Sequence, residues 1–217
     1  MFNNLDLPTI ISRVVVLLTA FSFHEFAHAW VAVRFGDETP RITGRLTLNP
    51  LAHLDPMGSL MLIVAGFGWA KPVQVNPYAL QRRSPAAMMW VSLAGPASNL
   101  LLAVIASIPF QLGLVSAYEA NFSSGGIIPS LDKLLYEFVF INLLLFLFNL
   151  IPIAPLDGEK IFTYFLPANM ARVFDTIRPY GPMILMALIF LPRLLGINIL
   201  GMIIGPPLQA MMSFLVG

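Results

Sequence analysis

The fold of this chain is decided by residues 8–33, which read PTIISRVVVLLTAFSFHEFAHAWVAV. Apart from Arg13 and one short polar motif, the stretch is apolar, and it exceeds the ~20 residues that a helix needs to cross a bilayer. The motif, His24-Glu25-Phe26-Ala27-His28, places two imidazoles and a carboxylate at membrane depth. Because ionisable side chains are expensive there, they indicate a functional site by default.

Composition points to a membrane protein throughout. The chain has 217 residues, of which 58% are hydrophobic and 11% charged, and its mean hydropathy is +0.81. A soluble domain would carry roughly 25% charged residues. We therefore expect a single integral-membrane domain over residues 1–217, with its core at about 8–165 and C-terminal helices at about 181–216. The net charge of +1 gives no argument for nucleic acid, and the absence of cysteine excludes thiolate metal sites.

Hydropathy predicts an all-α polytopic membrane protein with about five transmembrane helices, roughly four to six. After residues 8–33, the clear spans are residues 86–114 and 134–153, whereas residues 58–67 are apolar but too short to cross. Two C-terminal stretches, residues 183–191 and 194–216, fit one long helix, a hairpin or two spans. Pro192, Pro206 and Pro207 are the expected breaks there, because proline removes a helix donor.

Residues 68–77 differ from the spans around them. They read GWAKPVQVNP, which is too rich in glycine and proline for a helix. The alternation around Val73 and Val75 predicts a short membrane-associated extended segment, or an edge strand.

Basic residues predict the orientation. They lie between the first two spans and after the third, at Arg34, Arg41, Arg45, Lys71, Arg82, Arg83, Lys160, Arg172 and Arg178. The loop between the second and third spans offers only Lys133. By the positive-inside rule, the basic regions are cytoplasmic. The chain should thus be a multi-pass cell-membrane protein, with its polar motifs converging toward the cytoplasmic side.

The spacing of the motif favours a metal site. His24 and His28 lie four residues apart and share a helix face, and Glu25 can hold a metal-bound water without being a ligand. A catalytic zinc takes three protein ligands, and the best third candidate is Asp157, which follows a helix end broken by prolines. Two other interpretations stay open: buried histidines satisfied by carbonyls, and Asp157 as a helix N-cap.

Two segments together resemble the site-2 protease family of intramembrane zinc metalloproteases. That family pairs His-Glu-x-x-His with a distant Asn-x-x-Pro-x-x-x-Leu-Asp-Gly segment, which residues 149–158, NLIPIAPLDG, match. Residues 48–50 (LNP), 53–56 (HLDP), 68–73 (GWAKPV) and 94–99 (AGPASN) also resemble its compact branch without PDZ or CBS domains. The resemblance covers about residues 11–160.

The resemblance implies hydrolysis of peptide bonds in or near transmembrane segments of membrane proteins. His24, His28 and Asp157 would hold one Zn²⁺ per chain, which lowers the pKa of a bound water toward about 7. Glu25 would then act as general base and acid. Asn99 or Asn149 would hydrogen-bond the substrate backbone or the developing oxyanion, unless they serve as interhelical hydrogen bonds.

His53 has three open interpretations: an extra metal ligand, a gating residue, or a cap near the membrane surface. The expected partners are a transmembrane protein substrate and the lipid bilayer, and a homodimer remains open. Residues 68–77 would pair with an unwound substrate as an added strand. The alternative functions are a catalytically silent homologue and a metal-dependent membrane binding or transport protein.

Overall fold

The structure, a computed structural model, describes residues 6–58, 68–120 and 127–217. The helices named below are α1 (Leu7–Arg34), α2 (Thr39–Ile42), α3 (Pro50–His53), α4 (Pro77–Arg83), α5 (Ala87–Gln111), α6 (Ala117–Ala120), α7 (Leu131–Asn149), α8 (Asp157–Phe165), α9 (Ala168–Ile177), α10 (Gly181–Leu195) and α11 (Ile199–Val216). A 3₁₀ turn, Arg178–Tyr180, joins α9 to α10. Within the described ranges there is no strand, and one isolated antiparallel bridge links Leu54 to Ala70. The predicted all-α class is confirmed.

Helix α1 forms as its sequence predicts. Asp6 caps it by accepting a hydrogen bond from the Thr9 backbone N–H at 3.0 Å, and Pro8 lies in the first turn, where no N–H is needed. The helix ends at Arg34, whose guanidinium lies 4.9 Å from the centre of the Trp30 ring.

Ion pairs show that α1 and α7 run parallel. Asp6, at the start of α1, lies 3.0 Å from the Lys133 ammonium at the start of α7. Two turns further on, Arg13 makes a two-pronged contact with Glu137, with both distances 3.1 Å. These pairs also neutralise charges that would be costly in a membrane.

Helix α5 runs antiparallel to both of them. Its first half lies beside α1 from the middle of that helix toward its C-terminal end, where the carbonyl oxygen of Val91 contacts His28 and Asn99 contacts the Ala20 carbonyl oxygen. The C-terminal ends of α1 and α7 therefore meet the N-terminal end of α5. We call this end of the bundle the site end, and the opposite one the far end.

Four helical stretches are long and apolar enough to cross a membrane, judged on the described residues. They are Leu7–Arg34, Ala87–Gln111, Ala168–Pro192 and Ile199–Val216. Helix α7 is not among them, but it packs against α1 and α5 in the centre of the bundle, and its Lys133 and Glu137 are in ion pairs. By length and composition, these four candidates agree with the predicted range of four to six.

The third predicted span is shorter than expected. Helix α7 ends at Asn149 rather than continuing to residue 153. Residues preceding a proline are pushed away from helical geometry, and Pro152 and Pro155 lie just ahead. Turns therefore occupy residues 150–156, and α8 begins at Asp157.

The C-terminal region forms two helices, α10 and α11, which do not pack as a simple hairpin. Gln111 at the end of α5 donates to the carbonyl oxygens of Phe214 and Leu215 at 3.0 and 2.7 Å, so α11 ends at the far end. Because α11 packs along the same core, it runs parallel to α5 and starts near the site end. Helix α10 begins there too, with Gly181 against Ala154. Both ends of α10 thus lie toward the site end.

The prediction that three prolines break the C-terminal helices is wrong. Pro192 lies inside α10, and Pro206 and Pro207 lie inside α11. Membrane helices tolerate proline because neighbouring helices and local adjustments satisfy the freed backbone groups.

Residues 68–76, which we call the extended segment after their predicted conformation, form no helix, and hydrogen bonds hold them to the rest of the chain. The backbone N–H of Lys71 donates to the carbonyl oxygen of His53 at 2.8 Å, and that of Asn76 donates to Asp37 at 2.6 Å. The segment therefore lies beside α1. Of the short apolar stretch 58–67, residues 59–67 lie outside the described part of the chain.

Candidate metal centre

Three buried side chains converge at the site end. The Nε2 atoms of His24 and His28 lie 3.0 Å apart, and each is 3.2 Å from Oδ2 of Asp157. Within the described ranges, these three residues are the one group of His, Cys, Asp and Glu side chains close enough to hold a metal ion. The local i, i+4 spacing on α1 and the start of α8 together create the group.

The carbonyl of Val91 determines which nitrogen of His28 is protonated. It lies 2.7 Å from His28 Nδ1 and can only accept, so Nδ1 must carry the proton. The lone pair of Nε2 then points into the centre. A histidine that ligates a metal is commonly held by such a bond on its other nitrogen.

Asn99 holds His24 in the same way. Its Nδ2 donates to Oδ1 of Asn142 at 2.9 Å and to the Ala20 carbonyl at 3.4 Å. This orients Oδ1 of Asn99 toward His24 Nδ1, 2.6 Å away, so Nδ1 donates and Nε2 is free. Asn142 is itself held through a bond to the Phe138 carbonyl.

The donor set fits a zinc ion. With both Nε2 atoms unprotonated, as metal binding requires, two imidazole nitrogens and one carboxylate oxygen direct lone pairs at a single point that a cation could occupy. Tetrahedral coordination with bonds of about 2.0–2.1 Å separates ligand atoms by roughly 3.3 Å. The observed separations of 3.0–3.2 Å are close to this value.

Glu25 lies beside the centre and faces an open cleft. It is buried, and its Oε2 accepts a hydrogen bond from the backbone N–H of Val73 at 2.9 Å. The cleft has a volume of about 130 Å³. The cleft is lined by residues of the metal centre (His24, His28 and Asp157), by residues of the extended segment (Pro72, Val73 and Val75), and by the polar side chains of Glu25, Asn149 and Lys160.

The structure places most predicted site residues together. Asp157 is the first residue of α8, and the N-cap position belongs to Leu156, so the alternative that Asp157 is an N-cap is wrong. Asn149 lines the cleft, with Nδ2 bonded to the Leu145 carbonyl. Asn99 is different: it does not line the cleft, and its amide is already bonded on both sides. This geometry suits Asn99 to hold His24 from behind, and the expectation that it contacts substrate stays a prediction.

His53 lies apart from the group of potential ligands. It is 1% exposed, and its Nε2 is 2.8 Å from the carbonyl oxygen of Thr47, to which it donates. Its own carbonyl receives the N–H of Lys71, so it supports the start of the extended segment. His53 is not part of the group of potential ligands described above, and its role stays a prediction.

Several groups near the metal centre could not be identified from the sequence. The carbonyl of Val91 and the amide of Val73 act through the backbone, which leaves no signal in residue type. Lys160 lines the cleft, whereas in the sequence it counted only among the basic residues that predict the orientation. Gly95 carries a signal in the residue itself: a Cβ there would overlap the His28 ring and lie 2.7 Å from Cε1 of His24.

Comparison with known proteins is consistent with this centre. The model of "Peptidase family M50" matches residues 12–124 and 111–192. "Putative zinc metalloprotease YwhC" of Bacillus subtilis (strain 168) is 43% identical over 183 residues, covering 82% of this chain and 80% of that protein. "Putative zinc metalloprotease Rip2" of Mycolicibacterium smegmatis is 36% identical over 189 residues, and that of Mycobacterium tuberculosis (strain H37Rv) is 31% identical over 185. Each Rip2 comparison covers 82% of this chain and 66% of the relative. No solved structure was found to match.

Proposed function

We propose, from the premise that this chain belongs to peptidase family M50 and is a zinc metalloprotease, that it hydrolyses peptide bonds in or near transmembrane segments of other membrane proteins. The family match confirms the resemblance to the site-2 proteases. The observation that carries the proposal is the convergence of His24, His28 and Asp157 beside Glu25, within a bundle of apolar helices.

The residues of the metal centre are assigned two roles, as metal ligands and as groups that hold those ligands in place. We assign the three ligands to His24, His28 and Asp157, with Asn99 and the Val91 carbonyl holding the imidazoles. When bound, zinc supplies Lewis-acid polarisation of the scissile carbonyl and makes water more acidic. The Asp157 carboxylate offsets part of the positive charge, which matters most where water is scarce.

Glu25 is assigned as general base and general acid. It follows His24 directly, faces the cleft, and is held by the Val73 N–H through one oxygen, Oε2. Its carboxylate would take a proton from the attacking water and return it to the leaving amine. Asn149, on the cleft wall, is the remaining candidate for hydrogen-bonding the substrate backbone or the oxyanion.

The extended segment is assigned to substrate binding. In extended backbone, the N–H and C=O groups of alternate residues point to opposite edges. The N–H groups of Lys71 and Val73 point toward the protein, where they donate hydrogen bonds. The backbone polar groups of Pro72 and Gln74 therefore point outward. Within the described part of the chain, the backbone of Gln74 forms no hydrogen bond. An unwound substrate could pair with this edge while its side chains meet Val73 and Val75 in the cleft.

The site end is assigned to the cytoplasmic side of the membrane. Arg34, Arg41, Arg82 and Lys160 lie at or beyond the ends of helices that meet there, whereas Lys133 lies at the far end paired with Asp6. The positive-inside rule then orients the bundle. Cleavage would occur toward the cytoplasmic face of the substrate segment.

Two other functions predict different behaviour. A catalytically silent homologue would bind zinc without turnover. A metal transporter needs no general base beside its site, so Glu25→Gln would leave its turnover largely intact.

Quantitative comparison of membrane proteomes tests the proposal in cells. Cells with the Glu25→Gln enzyme should accumulate at least one intact single-span membrane protein relative to cells with wild type, and lose its shortened product. Identical membrane proteomes, under conditions in which both forms are expressed, would count against proteolysis.

A further inference from the structure

The 3₁₀ turn that follows α9 is hydrogen-bonded to the first turn of α8, the helix that begins at Asp157. Arg178 donates to Oε1 of Glu159 through Nε at 2.9 Å and Nη2 at 2.6 Å. Glu159 lies two residues after Asp157 in the first turn of α8, and its side chain is 5% exposed. Because an unpaired buried carboxylate is strongly destabilising, Glu159 depends on this partner.

A second contact lies three residues further on. Gly181 packs directly against the backbone of Ala154, so that an added Cβ would overlap the Ala154 carbonyl oxygen and lie 2.7 Å from Ala154 Cβ. Residues 178–181, which we call the clasp, therefore touch the 154–159 segment on both sides of Asp157. No sequence motif had suggested a role for this region.

We propose that the clasp positions Asp157 as a metal ligand, with Arg178 as the positioning residue. The inference rests on the metal centre of the proposed function. Hydrogen bonds hold both imidazoles from behind, through Val91 and Asn99. The Asp157 carboxylate has no such support: within the described ranges its only polar contacts are the two imidazoles. Its placement therefore depends on how the start of α8 is held.

The alternative partner of Arg178 is weaker. Asp175 lies 3.3 Å from Nη2, but its side chain is 60% exposed, and exposed pairs contribute little. Arg172 provides a matched control on the same segment. It is exposed, and its Nε bonds to the Ala168 carbonyl of its own helix, away from the 154–159 segment.

The test measures metal retention. Wild type, Arg178→Gln, Arg178→Lys and Arg172→Gln are purified in detergent with zinc, and zinc release to a chelator is followed; cobalt(II)-substituted samples report ligand geometry through their absorption spectra. We expect Arg178→Gln to release zinc about 10-fold faster and to alter the cobalt spectrum, as for other residues that support metal ligands. Arg172→Gln should match wild type. Equal release rates and spectra for both glutamine variants would overturn the proposal.

Two further variants keep the test decisive. If Arg178→Gln does not fold, Arg178→Lys decides, because it keeps the charge beside Glu159 but loses the two-pronged contact; it should release zinc faster than wild type, and wild-type release would refute positioning. Gly181→Ala should act in the same direction, whereas Gly205→Ala, which meets no atom within 4 Å, should not. Wild-type protein without zinc would refute the proposed function itself, and not the clasp alone.

Discussion

Gly95 of α5 lies so close to the His28 imidazole that any side chain at this position would enter the metal centre. The added Cβ would be 2.5 Å from Cε1 of His28. We therefore expect Gly95→Ala to displace the imidazoles and to lower zinc affinity by at least about 10-fold. Zinc content after dialysis against a chelator measures the effect.

Gly205→Ala is the matched control for that prediction. It makes the same change inside a membrane helix, but a Cβ there meets no atom within 4 Å. Wild-type zinc retention in Gly95→Ala would show that α5 does not approach the histidines as described.

Asn99 should behave as a positioning residue. Asn99→Ala removes the acceptor for His24 Nδ1, and we expect about 10- to 100-fold weaker zinc binding. The neighbouring Ser98→Ala should be neutral, because among the described residues the Ser98 hydroxyl donates only to the Gly95 carbonyl of its own helix. If Asn99→Ala kept its zinc and raised only KM, the residue would instead contact substrate.

Two proline substitutions in the extended segment should affect different kinetic constants, one kcat and the other KM. Val73→Pro removes the N–H that holds Glu25, so kcat should fall; Gln74→Pro removes the outward N–H, so KM should rise. Both should keep zinc, and Gln74→Ala, which keeps the backbone donor, should resemble wild type. Cleavage kinetics with a single-span substrate measure the split. Unchanged kinetics in both proline variants, or loss of zinc in either, would contradict the assignment.

The chain contains no cysteine, so single-cysteine variants can report its topology. A membrane-impermeant maleimide added to intact cells should label Leu114→Cys at the far end but not Arg82→Cys at the site end. Ile197→Cys, between α10 and α11, should also be protected, because both ends of α10 lie toward the site end. Labelling of Ile197→Cys would mean that the 168–192 stretch crosses the membrane.

The parts of the site that could be predicted from sequence are those that depend on local spacing. His24 and His28 share a helix face because they are four residues apart, and Asp157 follows two prolines, Pro152 and Pro155, beyond the end of α7. The role of Asn99 could not be predicted, since it depends on the rotation of α5 about its axis. That rotation aims Asn99 at the back of His24 rather than into the cleft.

In the fold, too, the features that depend on local sequence could be predicted, and those that depend on tertiary packing could not. Hydropathy located α1 and α5 closely because each is a long apolar run. It misjudged Pro192, Pro206 and Pro207, since whether proline ends a membrane helix depends on its neighbours in the bundle. Arg178 and Glu159 are 19 residues apart, and only tertiary packing brings them together.

We expect Glu25 to perform chemistry at a zinc centre of which it is not itself a ligand. Purified wild type and Glu25→Gln should each contain one zinc ion per chain, because glutamine can still accept the Val73 N–H. Cleavage of a single-span substrate reconstituted with the enzyme should fall by about 100-fold or more in the variant. Wild-type cleavage by Glu25→Gln, or cleavage by wild-type protein that contains no zinc, would contradict the account.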